Sequence, residues 1–210
     1  MKQYLITIVL LVLALSAFGQ NRQKITNTTE FEKQLKSVSE TTHSVESEFR
    51  QEKYMKVFAE KVVSFGTFYY RKPNKISLQY QKPMKYIITI NGEKLQTISG
   101  EKKTTISLGS NKMMAQMRGL IEASMVGNIS ALSKDYELEY FQSATDYFIK
   151  ITPINNSIKA YIKEIGITFD CKSMAVNQLR MTENNDDYTD YIFTNQKYNT
   201  LKNDEKFSIP

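Results

Sequence analysis

Catalysis needs side chains that exchange protons, attack an electrophile or hold a metal, and this 210-residue chain has few of them. It carries one histidine, His43, and one cysteine, Cys171. Neither a histidine-rich zinc site nor a Cys–His pair with spare members can be assembled from that stock. Carboxylate pairs occur at Glu137/Glu139 and Asp186-Asp187, but their surroundings read as the wet face of a strand and a polar turn. Leu108-Gly109-Ser110-Asn111 is a lone turn signal and not a phosphate loop. Apolar, adaptable residues are plentiful instead. Met113, Met114, Met117 and Met125 share one short stretch with Leu120 and Ile121, and the chain has 13 Tyr and 11 Phe with no Trp. Methionine is unbranched and polarizable, so it lines surfaces that accept variable apolar shapes. Tyrosine joins an apolar ring to a polar tip, which suits a wall that is greasy yet wettable. An ordinary β core contains both residue types too, so composition alone gives a β domain with room for an apolar guest. No enzyme activity, cofactor or metal is expected.

The elements that position these residues follow from period. Residues 28–42 carry Phe31, Leu35, Val38 and Thr42 on one stripe, with capping candidates at Asn27 to Thr29 and with Glu30 and Glu32 in the first turn; this is a helix. From His43 the period falls to two, Val45, Ser47, Phe49 and Gln51 alternating with polar partners. Strands are expected over 62–71, 76–80, 86–90, 94–99 and 104–108, with Pro73 and Pro83 in turns and Asn91-Gly92 as a hairpin signal. Residues 111–126 return to helical spacing with the methionines on one face, and 129–132 add a further turn. Alternation resumes through Tyr136, Leu138, Tyr140, then Tyr147, Ile149, Ile151, then Tyr161, Ile165, Ile167, and in 174–181 and 188–194. The expected class is mainly β (α+β), an antiparallel sheet of about 9–11 strands partly covered by helices.

Residues 1–19 read as a signal peptide: Lys2, an apolar run from Leu5 to Leu15, then small residues at Ala17 and Gly19. That run is about half the roughly 20 residues a membrane span requires. Residues 20–210 are then a single domain, with Gln20 at the position where a lipid-anchored protein would carry cysteine. One cysteine allows no intrachain disulfide, so stability rests on the core. The net charge of +6 is spread along the chain, a solvated surface and not a nucleic-acid footprint.

Several strings, taken with their spacing, resemble the LolA family of periplasmic outer-membrane lipoprotein carriers. They are Phe49-Arg50-Gln51, Gly66-Thr67-Phe68-Tyr69-Tyr70-Arg71-Lys72-Pro73, Leu78-Gln79-Tyr80-Gln81-Lys82-Pro83 and the stretch from Ile88 to Gly92. Tyr191-Ile192-Phe193-Thr194-Asn195, Asn199 and Phe207-Ser208-Ile209-Pro210 match the family's closing segment. The resemblance implies an unclosed barrel, or half-barrel, with a helical lid and an acyl-chain cavity between sheet and lid. Candidate lining residues are Phe49, Phe68, Tyr70, Leu78, Tyr80, Ile88, Met113, Met117, Leu120 and Ile121. It also implies a basic lid latch just before the first proline, which here is Lys72 with Arg71 beside it. Implied partners are acylated lipoproteins or other lipid cargo, an inner-membrane ABC-type release complex and an outer-membrane acceptor, with the protein a periplasmic monomer. The chain departs from the family in Ser77-Leu78, where Arg-Trp is frequent, and in having Lys at the latch. Two other expectations stand beside the lipoprotein shuttle. One is a carrier of the same fold for another amphiphile, such as a glycolipid or lipid-linked pigment; the other is a non-catalytic envelope interaction module.

Overall fold

The computed structural model describes residues 22–209 except residue 126, and excludes the side chains of Lys112, Met113 and Met117. The signal-peptide segment 1–19 therefore lies outside the described residues. Among those residues no helix is long and apolar enough to cross a membrane.

Alternating apolar residues build one antiparallel sheet. Its strands are β1 (Gln23–Ile25), β2 (Ser44–Met55), β3 (Glu60–Arg71), β4 (Lys75–Lys82), β5 (Tyr86–Asn91), β6 (Lys94–Ser99) and β7 (Lys102–Ser107), followed by β8 (Tyr136–Gln142), β9 (Asp146–Pro153), β10 (Ile162–Asp170), β11 (Val176–Glu183) and β12 (Tyr188–Tyr198). Their spatial order is β1-β8-β9-β10-β11-β12-β2-β3-β4-β5-β6-β7, so the ends of the sheet do not meet and the half-barrel is open. Twelve strands form where 9–11 were expected. The extra one is β1, which pairs with β8 through Gln23↔Gln142 to Ile25↔Tyr140; three residues are too few to show a period. Smaller corrections concern ends. Tyr161 is 58% exposed, outside β10. The β5–β6 hairpin has Asn91 paired with Lys94, so its two loop residues are Gly92 and Glu93, with Gly92 at φ +58°.

Register fixes which side chains share the concave face. Phe49 lies opposite Gly66 and Phe193, Ser47 opposite Phe68, and Phe68 opposite Leu78, which in turn faces Ile88. Gly66 is required there: a Cβ would stand 2.7 Å from the Phe49 ring and 2.3 Å from the Gln79 carbonyl oxygen. One irregularity matters below. Between Thr194↔Glu48 and Lys197↔Glu46, two residues of β12, Asn195 and Gln196, oppose the single Ser47, and Asn195 takes φ +53°.

Two long helices fill the concave side, α1 (Thr29–Thr41) and α2 (Lys112–Met125), and α3 (Asn156–Lys159) is a single turn. The apolar stripe of α1 buries Phe31 and Leu35 against the β8–β11 half of the sheet. The Phe31 ring meets Tyr140, Tyr147 and Phe169 at centroid distances of 5.8, 5.0 and 5.4 Å. A second core lies under β2 to β6 around Phe49, Phe68, Tyr70, Ile76, Leu78, Ile90 and Leu95. Helix α2 runs along the seam: Leu120 and Ala123 join the first core, while Met114 and Ala115 pack on the second.

One member of each carboxylate pair, Glu139 and Asp186, is held in surface ion pairs. Glu139 meets Lys150 at 2.6 Å and Lys24 at 2.5 Å, and Asp186 meets Lys163 at 2.6 Å and Lys56 at 2.7 Å. Those lysine bonds hold both carboxyls down at about 2.

Candidate functional site

Between α2 and the β2–β5 half of the sheet lies a narrow apolar cleft with a free volume of about 50 Å³. Its floor is Val45, Phe68, Ile76, Leu78, Ile88 and Ile90; Met114, Ile121 and Met125 of α2 form its roof, and Leu179, Tyr191 and Phe193 close the far wall. Phe68, Ile76 and Ile90 are at most 3% exposed, so α2 covers the floor closely. At 5.3 Å between centroids, the Phe68 and Phe193 rings form one corner.

Of the residues the sequence singles out, Phe68, Leu78, Ile88 and Ile121 line the cleft together. Phe49, Tyr70 and Tyr80 sit on the same face but do not line it. Phe49 packs edge-on against Tyr80 at 5.0 Å and Tyr191 at 5.9 Å, filling the space beyond one end. Leu120 points to the other core, and the side chains of Met113 and Met117 lie outside the described residues. Unforeseen lining residues include Met114, Met125, Tyr191 and Phe193. Met114 and Met125 belong to the methionine stripe, and Tyr191 and Phe193 to a readable alternation in β12; sequence alone did not say which end of the strands the cleft uses.

A hydroxyl network ends the cleft beside Phe49. Gln51 Nε2 donates to the Tyr191 hydroxyl at 3.1 Å, and the Tyr80 and Tyr191 hydroxyls share a 3.1 Å bond. Burial pushes both phenols above their ordinary range, so they stay neutral hydrogen-bonding groups. Burial likewise raises the Tyr70 phenol and the Glu122 carboxyl on α2, the latter against the pull of Arg118.

The helices are tied down by backbone carbonyls. Lys72 Nζ donates to the Ser39 carbonyl in the last turn of α1, and burial lowers its pKa against the raising effect of Glu40. Arg71 takes another role: its guanidinium donates to the Leu201 carbonyl and pairs with Asp204 at 3.2 Å, holding the C-terminal segment. Arg71 is the last residue of β3 and Lys72 the first of the turn that follows. Arg118, which nothing in the sequence singled out, clasps α2 to the β5–β6 hairpin through the Gly92 carbonyl at 2.8 Å and Glu93 at 2.9 Å. Asn199 closes the α1–β2 corner by accepting from the His43 and Ser44 amides at 2.7 and 3.2 Å and donating to the Thr41 carbonyl at 2.9 Å.

The architecture is an open antiparallel half-barrel with a helix over an apolar cleft. The family described as outer membrane lipoprotein carrier protein LolA matches residues 40–210, and the chain belongs to the LolA family. Members of this family are envelope-associated carriers or binding proteins of lipid or lipoprotein cargo, not enzymes. Among solved structures, a LolA superfamily protein from Nitrosomonas europaea aligns at 9% identity over 88% of this chain and 99% of its own, with a TM-score of 0.46. An outer membrane lipoprotein-sorting protein domain from Vibrio parahaemolyticus aligns at 9% identity over 85% and 94%, TM-score 0.48. MucB of Pseudomonas aeruginosa, in its complex with MucA, aligns at 11% identity over 86% of this chain and 60% of its own, TM-score 0.48. No curated protein matches.

Proposed function

We propose that the protein is a periplasmic carrier that shields the acyl chains of lipoproteins in the α2-covered cleft and shuttles them from inner to outer membrane. The observation that carries this is the cleft itself: it is apolar on floor, roof and far wall, and is roofed by a separate helix. An acyl chain loses about 0.8 kcal/mol for each CH₂ it takes from water into such a site. Specific polar contacts are unnecessary for binding, and a methionine roof accommodates different chains.

Chemically, a carrier must hold cargo and let it go. The ties described above suit that task. Lys72 to the Ser39 carbonyl and Arg118 to the Gly92 carbonyl are single side-chain contacts to helix or hairpin backbone. Each net hydrogen bond is worth about 0.5–1.5 kcal/mol, or up to about 3 when charged, so these polar ties add only modestly to the apolar packing of the helices, which a guest can replace. No catalytic step is involved. Export on the 1–19 signal, the free state implied by Gln20, a monomeric form, and exchange with an inner-membrane ABC-type complex and an outer-membrane acceptor complete the proposal.

The test is extraction of the protein purified from an envelope fraction, followed by mass spectrometry of the extract. Stoichiometric acylated lipoprotein or lipopeptide is expected. A clean protein with no acylated species from cells actively making lipoproteins overturns the shuttle.

A further inference from the structure

The cleft has one polar atom that apolar cargo alone leaves without a partner. Three polar side chains line it, Ser47, Ser124 and Gln196. Ser124 Oγ donates to the Leu120 carbonyl at 2.8 Å; Gln196 Nε2 donates to the Val176 carbonyl at 2.9 Å, and its amide oxygen accepts from the Tyr198 hydroxyl at 2.7 Å. Ser47 is only 2% exposed, and among the described residues its hydroxyl has no hydrogen-bond partner. It stands opposite the β12 bulge of Asn195 and Gln196. A buried hydroxyl without a partner costs stability that alanine at the same place would not.

We propose that Ser47 is a subsite for one ester carbonyl of an acyl-ester guest, its hydroxyl donating to that oxygen. The inference rests on the carrier function and sharpens it, by making the cargo an ester and not simply a hydrocarbon. The remaining lining selects among polar groups. An ester carbonyl brings only acceptors, which one free donor satisfies. An alkyl ether in the same place is a poorer acceptor and leaves Ser47 nearly as unsatisfied as an empty cleft does.

The test is displacement of a fluorescent fatty acid from the purified 20–210 chain by 1,2-dioctanoylglycerol or by its diether analogue 1,2-di-O-octylglycerol. Wild type should prefer the ester about two- to twelvefold, the range one net hydrogen bond supplies. Ser47→Ala should bind both with the diether's affinity, and Ser47→Thr should keep the ester preference. With the guest absent, Ser47→Ala should melt at the same temperature as wild type or higher, because it removes an unpaired buried hydroxyl. Equal binding of ester and ether by wild type overturns the subsite while leaving the carrier function standing, as does a Ser47→Ala variant that keeps the ester preference. If neither compound displaces the probe because the probe itself does not bind, the carrier function falls and the subsite with it. Two more competitors distinguish the source of the ester: a diacylglyceryl-cysteine peptide and phosphatidylglycerol carry the same carbonyls, and the lipoprotein source requires the peptide to compete more strongly.

Discussion

Ile121 projects from α2 into the cleft and is half-buried. A carboxylate there must be desolvated whenever a chain occupies the cleft. Ile121→Glu should therefore weaken binding of a fluorescent fatty acid at least tenfold while the far-UV circular dichroism stays native; unchanged affinity would put the guest elsewhere. Gly127 is held differently. At φ +70°, a Cβ would come within 2.7 Å of Ser39 Oγ and 2.9 Å of the Leu35 carbonyl oxygen, because the turn after α2 lies directly on α1. Gly127→Ala should cost about 1–3 kcal/mol, read as a shift in denaturation midpoint, and an unshifted midpoint would mean the two helices are not packed this closely. At this scale the sequence told the face but not the place. Phe68, Leu78 and Ile88, which the family resemblance implies as lining residues, do line the cleft, and period two puts them on its concave side. Phe49 and Tyr80 share that face but pair with each other and with Tyr191 to fill the space at its end. Leu120 was assigned to the cleft because a helical stripe does not reveal that its helix divides two cores.

Among the elements, α2 is the one the proposed carrier role requires to move, and Arg118 is its side-chain tie to the β5–β6 hairpin. Arg118→Met removes the contacts to Gly92 and Glu93 while keeping the stem, so amide exchange in α2 should quicken and fatty-acid uptake accelerate. Lys72→Met should do the same for the last turn of α1 through the Ser39 carbonyl, with Lys72→Arg close to wild type. Arg71→Met should leave both helices unchanged and loosen residues 201–209, which its guanidinium holds through Leu201 and Asp204. If Arg71→Met loosened α1 and Lys72→Met did not, the latch would be misassigned. Strands and helices were nearly all legible, since each long segment keeps one period from end to end. The short elements were not: β1 exists only because β8 offers it an edge, and α3 is a single turn with its N-cap supplied by Asn155. The Arg118 clasp was equally hidden, because nothing local to residue 118 indicates that a hairpin some 25 residues earlier will lie beside it.

For the molecule as a whole, surface charge and internal apolarity do separate jobs. Glu139 and Asp186 each sit between two lysines and keep their carboxyls near 2, against an ordinary range of about 3.9–4.3 in an unfolded chain. A lowered folded pKa means that the stabilisation is complete above the ordinary range and is lost as pH falls towards 2. Both groups are exposed, so the effect is modest. Melting temperature should drop between about pH 4 and pH 2, and Glu139→Gln should flatten part of that drop; a variant with the wild-type profile would show that this ion pair contributes nothing. The proposed function resides in the interior. Whether the space under α2 takes an acyl chain is measured most directly by titration of the purified 20–210 chain with a fluorescent fatty acid. A saturable signal at one probe per chain, competed by acylated peptide and lost in Ile121→Glu, is the predicted result. A wild-type protein that gives no saturable signal, while melting cooperatively as a folded domain, would contradict it.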